Sequence, residues 1–265
     1  MAERGGNPNF REINHPEIGQ IRVYSTSEAA SAAAAEEMIA LVRNNPEAAI
    51  TYATGNTMVE LYKDLAKAVE EGKADFTKTT AFHLDEYYPC GPDINEYPYG
   101  FVAYLRQLVF NPLKVGTVNE FNGLAEDPDE EAARYEGLLT AQPIDLALVG
   151  TGPWSDEDGT GCHIAFNESG TSFDSRTHVA ELSSVTIARD RIERGQNSPD
   201  KSYTQGIGDI LEARRIIFLA FGEDKGVSLH QALYGEMGPQ RPASALRLAG
   251  SKVTMFIDEA AASRL

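Results

Sequence analysis

The sequence predicts an α/β fold of Rossmann-like type: a mostly parallel sheet with helices on both faces. Three observations carry that expectation. Short apolar runs alternate with stretches at helical spacing along the chain. Residues 215–221 are apolar almost throughout, as in a strand covered on both faces. Polar, glycine-containing segments follow several of the apolar runs, and parallel sheets bind ligands at the carboxyl ends of their strands.

The elements follow in order. Residues 1–20 are polar and carry Pro8 and Pro16, and they read as a flexible N-terminal lead to a single domain at 21–265. Residues 21–24 read as a strand, and Ser25 to Glu28 as a capping box before an alanine-rich helix to about Asn44. Residues 49–53 suit a strand, 54–57 a turn, and Met58, Leu61, Tyr62 and Leu65 fall at helical spacing after it. A strand is expected at 79–84, then a Tyr-, Pro- and Gly-rich loop to about Gly100 and a helix from Phe101 to Phe110. Asp127 suits an N-cap, with Pro128 at the first position of a helix to Leu139. Strands at 144–149 and 215–221, a helix from Asp224 to Tyr234 and a last strand at 251–257 complete the pattern.

The totals narrow the function. At 265 residues, 42% hydrophobic, the chain is long enough for a sizeable core. No stretch approaches the roughly 20 apolar residues of a membrane span, and the N-terminal residues lack the apolar core of a secretory signal, so a cytoplasmic protein is expected. A formal charge of −17 disfavours nucleic acid and anionic membranes as partners. An anionic ligand therefore needs a locally basic pocket. Cys90 and Cys162 make neither a metal pattern nor a disulfide framework and are expected as free thiols.

The motifs with chemical capacity lie after the strands. Thr54-Gly55-Asn56-Thr57 joins a strand to a helix, as either an anion-binding turn or a plain Thr-capped one; no Walker lysine accompanies it. Asp85 and Glu86 lie at a strand tip, where a general base is a candidate role. His163 and Glu168 flank a small apolar segment after a glycine- and acid-rich loop, an arrangement suited to proton transfer. Without a His-x-x-x-His or clustered Cys/His set, zinc is not supported. Arg176, Arg189, Arg191 and Lys225 are the candidate anion partners, Lys225 the best placed, after the apolar strand. Gly206-Ile207-Gly208 lacks the glycine spacing of a dinucleotide loop.

Taken in order, these motifs resemble the glucosamine-6-phosphate deaminase (isomerase) family, which shares its fold with 6-phosphogluconolactonases. The likeness runs from about Ile21 to about Ile257. Thr54-Gly55-Asn56-Thr57 resembles the family's Thr-Gly-Gly-Thr phosphate loop, and the segment from Phe82 to Tyr87 its Met-Asp-Glu-Tyr. His163-Ile164-Ala165-Phe166-Asn167-Glu168 is similar to the deaminase His-Ile-Ala-Phe-Asn-Glu rather than to the lactonase branch, and residues 203–208 resemble Leu-Thr-Val-Gly-Val-Gly.

The resemblance implies roles. Asp85 would move a proton between C2 and C1 of an opened aminosugar phosphate, and His163, supported by Glu168, would assist ring opening. Thr54, Gly55, Asn56, Thr57 and Lys225, with Arg189 or Arg191, would hold the 6-phosphate. No metal or redox cofactor is implied, and a homo-oligomer is left open. The expected reaction is glucosamine 6-phosphate to fructose 6-phosphate and ammonia. The alternatives are a lactonase or non-amino isomerase of the same fold, or a sugar-phosphate sensor that has lost catalysis. Two departures stand out. Gly161-Cys162-His163 replaces the family's Asp-Gly-His, removing the acid that orients the histidine. An inserted loop at 153–160 brings Asp156, Glu157 and Asp158, the candidates to replace it.

Overall fold

The computed structural model describes residues 9–265. Thirteen strands are assigned among them: β1 Phe10–Ile13, β2 Ile18–Tyr24, β3 Ala49–Tyr52, β4 Thr80–His83, β5 Asp85–Tyr88, β6 Thr117–Asn119, β7 Leu146–Val149, β8 Trp154–Ser155, β9 Thr160–Gly161, β10 His178–Glu181, β11 Lys201–Thr204, β12 Arg215–Ala220 and β13 Gly250–Asp258. Eight form one sheet in the order β1-β2-β13-β12-β7-β3-β4-β6. Its ladders are parallel except β1–β2 at the edge. Strand β12 reads apolar because both its faces are covered, and Ile216, Ile217, Phe218 and Leu219 are each at most 1% exposed. Each such side chain contributes roughly 1.5–3 kcal/mol by its burial.

The chain runs outward from β3 to β4 and β6, then returns to place β7 on the other side of β3. That reversal leaves a crevice beyond the carboxyl ends of β3 and β7, the usual ligand position in open α/β sheets. A second sheet, β10-β11-β5, is antiparallel and stands over that end. Strands β4 and β5 are one run of chain broken only at Leu84. The Leu84 N–H donates to the Tyr52 carbonyl in the large sheet at 3.1 Å, and its carbonyl accepts from Gln205 N–H at 2.9 Å.

Most expected elements are present within a few residues of their expected limits, and the differences have physical causes. Of the expected N-terminal lead, residues 1–8 lie outside the described residues. Residues 10–13 instead pair with 21–24 as an antiparallel ladder, with Phe10 and Ile13 partly buried and Arg11 and Glu12 exposed. The helix Ser27–Asn44 is capped by Thr26, whose hydroxyl accepts from Ala29 N–H; the N-cap is not Ser25. Asp127 caps the helix Pro128–Ala141 as expected, accepting from the 129 and 130 amides. The expected helix from Phe101 to Phe110 widens into a π turn at Arg106–Phe110. The loop expected to run to Gly100 begins instead with β5, which is legible only through its non-local pairing with β11.

One continuous hydrophobic cluster fills the space around the large sheet. A smaller one comprises Tyr87, Cys90, Phe101, Phe166 and Leu182, and its Phe101 and Phe166 line the crevice together with Asp85. Both cysteines are unpaired and buried. No helix among the described residues is long and apolar enough to cross a membrane.

Candidate active site

Thr54, Gly55, Asn56 and Thr57 all line the crevice above β3. Gly55 has φ +128°, a left-handed value that glycine adopts without steric cost. The turn leads through a 3₁₀ turn at Asn56–Met58 into the helix Val59–Glu70. The free amides and positive dipole end of that helical run therefore sit at the crevice floor.

Asp85 lines the same crevice and is only 6% exposed. Its Oδ1 accepts from the Thr54 hydroxyl at a long 3.5 Å. Burial and then the neighbouring Glu86 charge push its carboxyl up to about 8, against the lowering influence of Arg194. A carboxyl poised there is suited to taking and returning a proton near neutral pH. Glu86 points the other way on the strand. It accepts from the Phe101 and Val102 amides at 2.9 and 2.6 Å and so caps the following helix. Adjacent acids thus take separate tasks through the two-residue period of the strand. His83, two residues earlier, is buried against Phe121, and burial pushes it down to about 3, so it remains neutral.

His163 lines the same crevice as Asp85. The inserted acids do not orient it. Asp156 accepts from Trp154 Nε1, and Asp158 accepts from Ser155 Oγ, so both are used up within the β8–β9 hairpin. Glu157, like Asp158, is exposed. The imidazole Nδ1 instead meets Glu168 Oε2 at 3.7 Å and Thr186 Oγ1 at 3.3 Å. Burial raises the Glu168 carboxyl, but the influences of His163, Thr186 and the Ser183 amide together outweigh it and hold the group below its ordinary value. Asn167 supports the segment by donating to the Ile164 and Gln205 carbonyls at 2.9 and 2.8 Å.

The cations sort by position. Lys225 is 6% exposed, lines the crevice and donates to the Thr151 carbonyl at 2.9 Å. Burial and then the Arg189 charge push its ammonium down to about 8. Arg189 lines the crevice too, its Nε donating to Glu193 at 2.6 Å. Arg191, on the same helix Ser184–Glu193, is exposed and outside the crevice lining, so it is set apart from the phosphate candidates. Arg176 is engaged elsewhere, with Glu136, Asp209 and Glu212.

Sequence reasoning missed the lining residues Thr186, Asp190, Glu193 and Arg194. Arg194 stacks over the Phe101 ring at 4.4 Å, Asp190 accepts from the Tyr87 hydroxyl at 2.7 Å, and Thr186 touches His163. The signal available for them was the spacing of 186, 189, 190, 193 and 194, one face of a helix. Among the described residues no three His, Cys, Asp or Glu side chains come together as a metal site. The crevice therefore presents a carboxyl, an imidazole and a basic floor, a set able to shift protons on a ligand whose far end is anionic.

Comparison with known proteins gives the chain's relatives. The family described as glucosamine-6-phosphate isomerases/6-phosphogluconolactonase matches residues 24–255. A glucosamine-6-phosphate deaminase of Clostridioides difficile (strain 630) is 35% identical over 88% of this chain and 91% of its own. One from Listeria welshimeri is 38% identical over 80% and 86%. The solved structure of a monomeric glucosamine-6-phosphate deaminase superposes with a TM-score of 0.83 at 32% identity, covering 92% of this chain and 99% of the other. A 6-phosphogluconolactonase from Trypanosoma brucei shares the fold, with a TM-score of 0.68 at 19% identity over 92% of this chain and 98% of the other.

Proposed function

This chain belongs to the glucosamine-6-phosphate isomerase/6-phosphogluconolactonase family, and we propose that it converts glucosamine 6-phosphate and water to fructose 6-phosphate and ammonia. The observation that carries the reading is that Asp85 and His163 line one crevice together with Lys225, Arg189 and the turn at 54–57. The 6-phosphate sits on the turn amides and the two cations. This anchors the remote end of the sugar and holds the reacting carbons near the acid–base pair.

His163 Nε2 takes the anomeric hydroxyl proton and gives it to the ring oxygen, which opens the pyranose. Asp85, ionised, removes the C2 proton and returns it to C1 while the substrate ammonium gives up a proton to O1, so that the nitrogen-bearing C2 becomes an iminium carbon. Addition of water there and expulsion of ammonia leave the ketose phosphate. The substrate ammonium also favours the ionised Asp85 carboxyl. The free, buried thiols of Cys90 and Cys162 suit a cytoplasmic setting.

The test is incubation of folded protein with glucosamine 6-phosphate, following ammonia and fructose 6-phosphate together. Stoichiometric release supports the reading. No turnover of that or related aminosugar phosphates would remove it. Hydrolysis of a sugar-phosphate lactone without ammonia would reassign the chemistry, and saturable binding without turnover would make the protein a sensor.

A further inference from the structure

We propose that Thr186 is the positioning residue for His163, through a hydroxyl that meets the imidazole Nδ1 beside the Glu168 carboxylate. The kinetic part of this proposal rests on the deaminase reading; the spectroscopic part does not.

No acid can serve from position 161. Gly161 has φ +128°, and a β-carbon there would lie 2.3 Å from the Pro153 carbonyl oxygen and 2.8 Å from Trp154 Cα. The β8–β9 hairpin has filled that space with backbone. Thr186 approaches Nδ1 from the helix Ser184–Glu193, and its Oγ1, at 3.3 Å, is nearer than the carboxylate oxygen at 3.7 Å. It is 2% exposed, so water does not compete freely for its hydroxyl.

The donor inventory then orders the protons. Glu168 is held below its ordinary value, is ionised, and can only accept; its Oε2 lies 3.7 Å from Nδ1. The Ser183 amide also donates to Glu168, at 3.3 Å. A carboxylate beside Nδ1 favours a proton on that nitrogen and leaves the Thr186 oxygen as an acceptor toward it. Ser183 Oγ donates to it at 3.1 Å. The remaining acceptor site faces Nδ1 and selects the Nδ1–H tautomer, which leaves the Nε2 lone pair for the substrate. Ser183 is itself fixed, because its Oγ accepts from the Thr186 amide at 3.2 Å as the helix N-cap. The hydroxyl is thus held by the first turn of the helix that carries Arg189, Asp190 and Glu193 to the crevice.

The test compares Thr186→Val, which keeps the shape and removes the hydroxyl, with Thr186→Ser, which keeps the hydroxyl. With glucosamine 6-phosphate, Thr186→Val is expected to lower kcat by about 10- to 100-fold with KM within about twofold, and Thr186→Ser to recover most of the loss. In ¹⁵N-labelled protein the His163 ring nitrogens should show protonated Nδ1 and bare Nε2. Thr186→Val should move both toward a tautomer mixture, and Thr186→Ser should restore them. Unchanged nitrogen shifts in Thr186→Val, or a kcat within about twofold of the parent, would overturn the proposal. If the Val variant does not fold, Thr186→Ala serves for the same two readouts. A protein inert toward every aminosugar phosphate would sink the deaminase reading, while the nitrogen spectrum would still decide the role of Thr186.

Discussion

Gly152 lies flat against the His163 imidazole: a β-carbon at 152 would sit 2.3 Å from both Cε1 and Nε2 of the ring. The Gly152 amide also donates to the His163 carbonyl at 3.0 Å, so backbone and ring are clamped together. Nothing between them can yield except the imidazole itself.

Gly152→Ala is therefore expected to turn the ring away from the crevice and to lower kcat by about 10²-fold, the share that a positioned acid–base group supplies. Global stability should fall by only about 1–3 kcal/mol, the usual cost of one overpacked methyl. Steady-state kinetics with a urea melt separate the two; a fully active Ala variant would refute the clamp.

Asp85→Asn is expected to abolish solvent-deuterium exchange at C1 and C2 while sparing ligand binding. Retained exchange would contradict its role as the base. Stability supplies a second readout. The carboxyl value of about 8 is raised above its ordinary 3.8, so stability from burying the neutral acid is full below about 4 and is lost as pH rises through about 8. The Asn side chain does not ionise. Between pH 5 and 9 the variant should gain on the parent by an amount on the order of a few kcal/mol, read from urea midpoints at each pH.

The pH profile of kcat/KM should be narrow. Activity rises as Asp85 ionises near 8 and falls as Lys225, whose ammonium is also pushed to about 8, loses its charge. Lys225→Ala should weaken phosphorylated ligands by roughly 10-fold or more, the loss of one charge-assisted contact, and remove the descending limb. Equal weakening of unphosphorylated sugars, measured by calorimetry, would argue against a phosphate contact.

Arg189 and Arg191 make a matched pair two residues apart on one helix. Arg189→Ala is expected to raise KM for the phosphorylated substrate by about 10-fold. Arg191→Ala, at an exposed position, should change it by less than about twofold. A reversal of that order, in parallel titrations, would exchange their assignments.

Much of the fold was legible in the sequence because it rests on local periodicity. The apolar density of residues 215–221 marks β12, and Asp127-Pro128 marks a helix start to the residue. The turn at 54–57, Asp85, His163, Glu168 and Lys225 could be marked because each follows a strand or lies in a motif. What escaped depends on partners distant in sequence. Strand β5 exists through its pairing with residues 201–204, and the Thr186–His163 contact spans 23 positions. The choice between two arginines needed the rotation of one helix. Of the acids at 156–158, Asp156 and Asp158 are held by hairpin bonds to Trp154 and Ser155 that no spacing in the sequence marks.

The short ladder in which Asp85 stands opposite Thr204 and Glu86 opposite Tyr203 has a wider consequence. Slipping that pairing by a single position would exchange which acid meets the ligand and which one seats a helix, since alternate side chains leave a strand on opposite sides. The far edge of the eight-stranded sheet can accept substitutions with little effect on chemistry. These few paired residues cannot, because the aim of one oxygen atom depends on their count.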